Sequence, residues 1–189
     1  MTDLFGRLDD STTPSESDAA DLRPDTRGAR WIRRRLAGGV VAITTSVGGA
    51  YRASTVTGCT SVSTEPPQFL VSIELDSQMD GWLLEAALFS LNILPWGQQF
   101  FADQFAGFTP LASPTFKGID HFFSVTGAPV LAESIAWADC RIVSHLQTGD
   151  HRCFVGEAVA IGQGRGDERD PLLYYLSRYR RLGGTDHRP

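Results

Sequence analysis

Between Ser54 and Ser63 the chain runs Ser-Thr-Val-Thr-Gly-Cys-Thr-Ser-Val-Ser, a stretch crowded with hydroxyls. Such a run can offer O–H and N–H donors to a polar heterocycle and to phosphate. The same run also suits an ordinary half-exposed strand, where threonine is favoured. Gly58 inside it marks either a bulge or a close approach of a ligand to the backbone. A second cluster is Thr148-Gly149-Asp150-His151. The imidazole can act as acid, base or neutral hydrogen-bond partner near neutral pH. Asp150 beside it either fixes its orientation or serves a turn. A third cluster interleaves Tyr174, Tyr175 and Tyr179 with Arg178, Arg180 and Arg181. Those side chains can stack on a flat ring and hold phosphate, or they can lie on an amphipathic terminal helix.

Other chemistries find little support. The cysteines are Cys59, Cys140 and Cys153, an odd number with no CxxC, so neither a zinc site nor a disulfide framework is expected. The histidines are His121, His145, His151 and His187, without an HExxH or another close ligand pair, and no metal is expected. Lys and Arg number 17 against 22 Asp and Glu, a net charge of −5 that argues against a nucleic-acid surface. No run of apolar residues is long enough to cross a membrane. The opening MTDLFGRLDD is acidic where a signal peptide would be basic, so a cytoplasmic protein is expected.

The elements that must position these clusters follow from local patterning. Residues 1–27 are polar and without apolar period, and read as a flexible tail. A short helix is predicted over 28–37, ending at Gly38-Gly39, with too short an apolar stripe to stand alone. VVAITTSV (40–47), a glycine turn and residues 51–63 predict a hairpin. Residues 68–73 form the next strand, with Phe69, Val71 and Ile73 on one face. A helix over 78–87 capped by Asp80, a buried strand over 87–94 and a helix over 97–106 follow. A Pro- and Gly-containing loop (107–120) and one short strand within 121–131 precede a strictly alternating strand, 136–146, and its returning strand, 151–162. Residues 170–182 close the domain, predicted to span 28–182, and 183–189 form a C-terminal tail. The order of elements predicts a mainly β fold, an antiparallel barrel with a few short peripheral helices.

Six pieces in one order carry a more specific signal: GVVAITT, RASTVTGCTSVSTEPPQFLVSI, LFSLNIL, FADQFAG, GDHRCFVGEAVA and DPLLYYLSRYRRL. Together, over about residues 31–182, they resemble the flavin reductase-like, FMN-binding split-barrel family. The resemblance implies an antiparallel split β-barrel, a homodimer, and flavin bound near the dimer interface. It places Ser54, Thr55, Val56 and Thr57, with Cys59, Thr60 and Ser61 beyond, on the flavin-contacting strand. It places Asp76, Ser77 and Gln78 at the ribityl or phosphate side, and Phe105 near the outer part of the flavin. Gly149, Asp150 and His151 match the Gly-Asp-His segment where nicotinamide docks, and Tyr179 and Arg180 fall near the same pocket. The chain departs from many relatives at Ala53-Ser54, at Gly58-Cys59, and at Gln78, where an arginine is frequent.

The implied activity is an NAD(P)H:flavin oxidoreductase. It would pass hydride from NADH or NADPH to FMN or FAD and supply reduced flavin to a partner monooxygenase. His151 is expected to orient the nicotinamide, with proton handling as a lesser role, and Cys59 to be a wall residue, not a nucleophile. The competing readings are a flavin-binding electron carrier and a split-barrel flavin oxidase, neither with nicotinamide activity.

Overall fold

The computed structural model describes residues 25–108 and 116–183. Most of the predicted N-terminal tail, the middle of the 107–120 loop and nearly all of the C-terminal tail lie outside the described residues. In chain order the elements are α1 (Thr26–Arg33), β1 (Gly38–Gly39), β2 (Val41–Val47), β3 (Ala50–Val56), β4 (Cys59–Thr64) and β5 (Pro67–Glu74). Then come α2 (Gln78–Ala86), β6 (Leu88–Ile93), α3 (Gln99–Phe105), β7 (His121–Phe123) and β8 (Pro129–Leu131). Two long strands, β9 (Ala136–Thr148) and β10 (His151–Gln163), precede the short β11 (Leu173–Tyr175) and β12 (Arg178–Arg180).

Seven strands form one sheet in the order β3-β2-β6-β9-β10-β5-β4, every neighbouring pair antiparallel. β3 and β4 follow each other in sequence yet occupy opposite edges. Only Thr57 and Gly58 join them, so the two edges must meet at that corner and the sheet must curl round. The Ser72 amide donates to the Gly58 carbonyl at 2.8 Å, tying the corner to β5. The two edge strands do not pair with each other, so the barrel is split along this seam and not closed.

The curled sheet has a dry interior. Ile43, Val71, Phe89, Leu91, Cys140 and Phe154 fill it, and α2 inserts Met79 and Leu83. A buried side chain of this size stabilises by about 1.5–3 kcal/mol, so the alternation of β2, β5 and β6 fixes their register. Gly156 makes room for the Phe89 ring, because an added Cβ would come 2.5 Å from its Cζ. On the outer face of β2, Val40 and Ala42 pack with Ala102 and Phe105 around α3 and with Leu172. The β2–β3 turn is Gly48-Gly49, both at positive φ, as a tight twisted hairpin requires.

Several expectations are corrected. α1 starts earlier and ends earlier than 28–37, because Asp25 caps it by accepting the Gly28 amide at 2.8 Å. Gly38-Gly39 do not stop the helix but form β1, paired with β11. Residues 51–63 are two strands, not one, broken at the corner. Asp80 does not cap α2; Ser77 holds that position, and Asp80 is buried in the first turn. Residues 121–131 contain two strands, β7 and β8, paired as a hairpin. The terminal segment is a hairpin, β11–β12, turned at Leu176 and Ser177 with positive φ, and not a helix. Asp139 is fully buried and accepts from the Thr126 amide at 2.8 Å, from Ser90 Oγ at 3.2 Å and from the Thr126 hydroxyl.

Candidate functional site

The β3–β4 corner, the ends of β5 and β10, and α1 enclose a cleft of about 680 Å³. That is within the range of pockets for organic ligands, roughly 300–1,000 Å³. Its floor is the corner itself, Ser54, Thr55, Val56, Thr57 and Gly58. One side is Ser72, Ile73, Glu74 and Ser77, at the end of β5 and the start of α2, and Asp150 and His151 stand next to them. α1 contributes Ala29, Arg30, Arg33 and Arg34 to the lining, and β11 contributes Tyr174.

Strand pairing brings two segments far apart in sequence to this place. β10 pairs with β5 so that His151 stands opposite Glu74, and the Leu75 amide donates to the Asp150 carbonyl at 3.0 Å. The turn after β5 and the Gly149-Asp150 turn are therefore one bonded unit. Ser77 Oγ closes the first turn on the Glu74 carbonyl at 2.7 Å. Gly149 takes positive φ and Thr148 pairs with His151, which makes the second a two-residue hairpin turn.

Asp150 Oδ1 lies 2.6 Å from His151 Nδ1. This hydrogen bond, with the charge of the imidazole, holds the Asp150 carboxyl below the usual carboxylate range. An ionised carboxylate only accepts, so Nδ1 carries the proton of the bond and Nε2 is left for other partners. His145, earlier on β9, instead packs its ring against Phe154, with the ring centroids 5.9 Å apart.

The floor divides its hydroxyls by role. Thr55 Oγ1 is buried and donates to the Ala102 carbonyl at 2.9 Å, so its side chain holds α3 to the barrel. Ser54 and Thr57 are only partly buried on the cleft floor. Gly58 has a packing reason of its own, since a Cβ there would come 3.1 Å from the Ser72 Cβ.

Other expected site residues lie elsewhere. Cys59 packs against the barrel interior, where burial pushes its thiol up to about 11, consistent with a wall residue. Thr60 and Ser61 are exposed on the edge strand β4, with Thr60 Oγ1 bonded to the Ser61 carbonyl at 3.3 Å. Asp76 and Gln78 are exposed beside Ser77 but outside the cleft lining. Phe105 is buried in the outer core, 5.7 Å from the Phe116 ring. Tyr179 gives its hydroxyl to Asp103 at 2.8 Å and packs on Tyr174, which is itself in the cleft. Arg180 is exposed on β12. Gly149 shapes the hairpin turn without lining the cleft.

The arginine wall is not among the residues expected from the sequence. Its signal was present, because Arg30, Arg33 and Arg34 at spacings of three and four share a helix face.

Residues 33–183 match the family of the flavin reductase like domain. The chain belongs to that family. It is 30% identical over 178 residues to the FMN reductase (NADH) RutF of Ancylobacter novellus, covering 94% of this chain and 95% of that protein. It is 34% identical over 164 residues to the reductase component of the 4-nitrophenol 4-monooxygenase/4-nitrocatechol 2-monooxygenase of Rhodococcus opacus, covering 84% of this chain and 82% of the relative. The solved structure of the NADH:FAD oxidoreductase SgcE6 of Streptomyces globisporus superposes with a TM-score of 0.79 at 28% identity, over 91% of this chain and all of that one, 100%. The mainly β split-barrel fold and the flavin reductase membership therefore stand together. No described helix is long and apolar enough to cross a membrane.

Proposed function

We propose that the cleft holds a flavin and a nicotinamide dinucleotide together, and that the chain is the NADH-dependent flavin reductase of a two-component monooxygenase. The observation that carries this reading is the joining of three separate segments around one cleft. The hydroxyl corner, the turn at Ser77 and the Asp150–His151 pair all line it. Relatives of both flavin types, one named for FMN and one for FAD, support the same activity.

The residues present fit such ligands. Ser54 and Thr57 offer hydroxyls at the floor, for the polar edge of a flavin ring. Ser77 stands at the ribityl side. Hydride transfer between the two rings is the cofactors' own chemistry. The chain's work is to bind the two rings face to face and to exclude water between them. His151 presents Nε2 to the nicotinamide while Asp150 fixes the plane of its ring. Thr55 and Cys59 keep the floor rigid from behind.

The chain acts as a homodimer on this reading. β6 pairs with β9 as far as Arg141, and the Ile142 amide still donates to the Ala87 carbonyl at 2.9 Å, so β9 has an unpaired edge only from Val143 onward. Val143, Leu146 (69% exposed), Val159 and Ile161 (57% exposed) are exposed apolar side chains of these two long strands, which a second copy would cover. Sedimentation at twice the 20.6 kDa chain mass is expected, and a monomer at micromolar concentration would remove this part of the proposal. The reduced flavin would pass to a flavin-dependent monooxygenase, as the Rhodococcus relative's name describes for that protein.

The test is steady-state NADH oxidation with FMN, with FAD and with no flavin added. Consumption that depends on flavin is expected. Flavin binding with no NADH consumption would favour an electron carrier instead.

A further inference from the structure

The α1 wall of the cleft is basic. Arg30 and Arg33 lie on it one turn apart, both on the face of α1 that also carries Ala29. Among the described residues neither guanidinium is taken up by a salt bridge. The neighbouring arginine Arg35 is set aside, its guanidinium 3.5 Å over the Trp31 ring and its Nη1 bonded to the Trp31 carbonyl at 3.1 Å. α1 is not loose: the Leu176 amide donates to the Arg34 carbonyl at 2.9 Å, which pins the helix end to the terminal hairpin.

The carboxylates of the cleft are Asp25, Glu74 and Asp150. Asp25 caps the start of α1 and is committed to the Gly28 amide, and Asp150 is committed to His151. Glu74 lies across the cleft on β5. The positive charge of Arg33 adds a small lowering of the Asp150 carboxyl to the larger one caused by His151. The helix thus presents two fork-shaped donors to the same volume as the hydroxyl floor and the histidine, and phosphate oxygens match that geometry.

We propose that Arg30 and Arg33 form a nucleotide-phosphate subsite on α1 and set the preference of the cleft for phosphorylated ligands. The proposal rests on the reading of the cleft as a nucleotide site. The phosphate has two possible sources, the flavin's ribityl phosphate and the pyrophosphate of the nicotinamide dinucleotide, and the experiment separates them.

The variant is Arg30→Gln with Arg33→Gln, because glutamine keeps the length and the helix preference but removes the charge. Binding of FMN and of riboflavin is measured by flavin fluorescence, and KM for NADH is measured with riboflavin as acceptor. If the subsite takes the flavin phosphate, the FMN dissociation constant rises about tenfold or more and that of riboflavin stays constant. If it takes the dinucleotide phosphate, KM for NADH rises by about the same factor with riboflavin as acceptor. The Arg30→Lys, Arg33→Lys variant should retain most of the lost affinity, because the charges remain. Arg35→Gln should behave as the parent in every arm. Unchanged FMN affinity and unchanged KM in the Gln variant overturn the proposal, as does an equal loss for riboflavin and FMN. A parent chain that binds flavin and oxidises NADH, with an indifferent Gln variant, would sink the subsite alone. A parent that binds no flavin would sink the reading of the cleft and the subsite with it.

Discussion

The guanidinium of Arg152 grips the carboxylate of Asp80 at two points, with Nε 2.8 Å from Oδ1 and Nη2 3.3 Å from Oδ2. Arg152 follows His151 on β10, and Asp80 lies in the first turn of α2, just after Ser77. The pair therefore clamps the two turns of the cleft from behind. Only 17% of the Arg152 side chain and 10% of the Asp80 side chain are exposed.

Asp80→Ala should leave that arginine charge poorly solvated. A loss of about 3 kcal/mol is expected, at the low end for breaking a buried pair because some exposure remains. Urea unfolding of the variant measures it. A loss under about 0.5 kcal/mol would mean the pair behaves as an ordinary surface bridge.

Thr55, Thr57 and Thr60 stand close in sequence but should respond differently to valine. Thr55→Val removes a buried hydrogen bond to α3 and should cost about 1 kcal/mol of stability. Thr57→Val should weaken flavin binding up to about tenfold and leave the melting temperature near the parent's. Thr60→Val should change neither, since its hydroxyl is exposed on β4. Equal flavin affinity in all three proteins would return the strand to a purely structural role.

The fold was legible wherever alternation or a turn dipeptide spoke for itself. β2, β5, β6 and the Gly48-Gly49 turn follow directly from their residues. The break at Thr57-Gly58 was not legible, because β-favouring residues continue on both sides of it. Only the curl of the sheet makes the chain change edges there. The terminal hairpin was hidden for the opposite reason. Leu-Leu-Tyr-Tyr-Leu suits a helix locally, and its pairing with Gly38-Gly39 is a long-range contact. At the site, the hydroxyl floor and the Asp150–His151 turn stood out by residue type. Phe105 and Tyr179 looked equally functional, but their environment is packing and a bond to Asp103.

His151 donates the hydrogen bond that keeps the Asp150 carboxyl below the usual carboxylate range. The folded value lies below that of the unfolded chain, so the stabilisation is complete above about pH 4 and fades as pH falls through the depressed value. His151→Ala should move the Asp150 titration back up, as read by carboxyl NMR. The same variant should raise KM for NADH about fivefold or more while flavin affinity holds. A normal KM in a folded variant would mean that the turn histidine is structural.

Burial pushes the thiols of Cys59 and Cys140 up to about 11 and about 12. Both should stay protonated and resist iodoacetamide at about pH 8 in the folded protein, then react once it is unfolded in urea. Rapid alkylation of Cys59 in the native state would mean that the floor of the cleft opens readily.

The central claim is that flavin and nicotinamide meet in one cleft and that hydride passes between them. Anaerobic stopped-flow mixing of the flavin-loaded protein with NADH tests it most directly. The account predicts that the visible flavin absorption bleaches completely with one equivalent of NADH. Flavin that binds in the cleft yet stays oxidised in excess NADH and excess NADPH would contradict it.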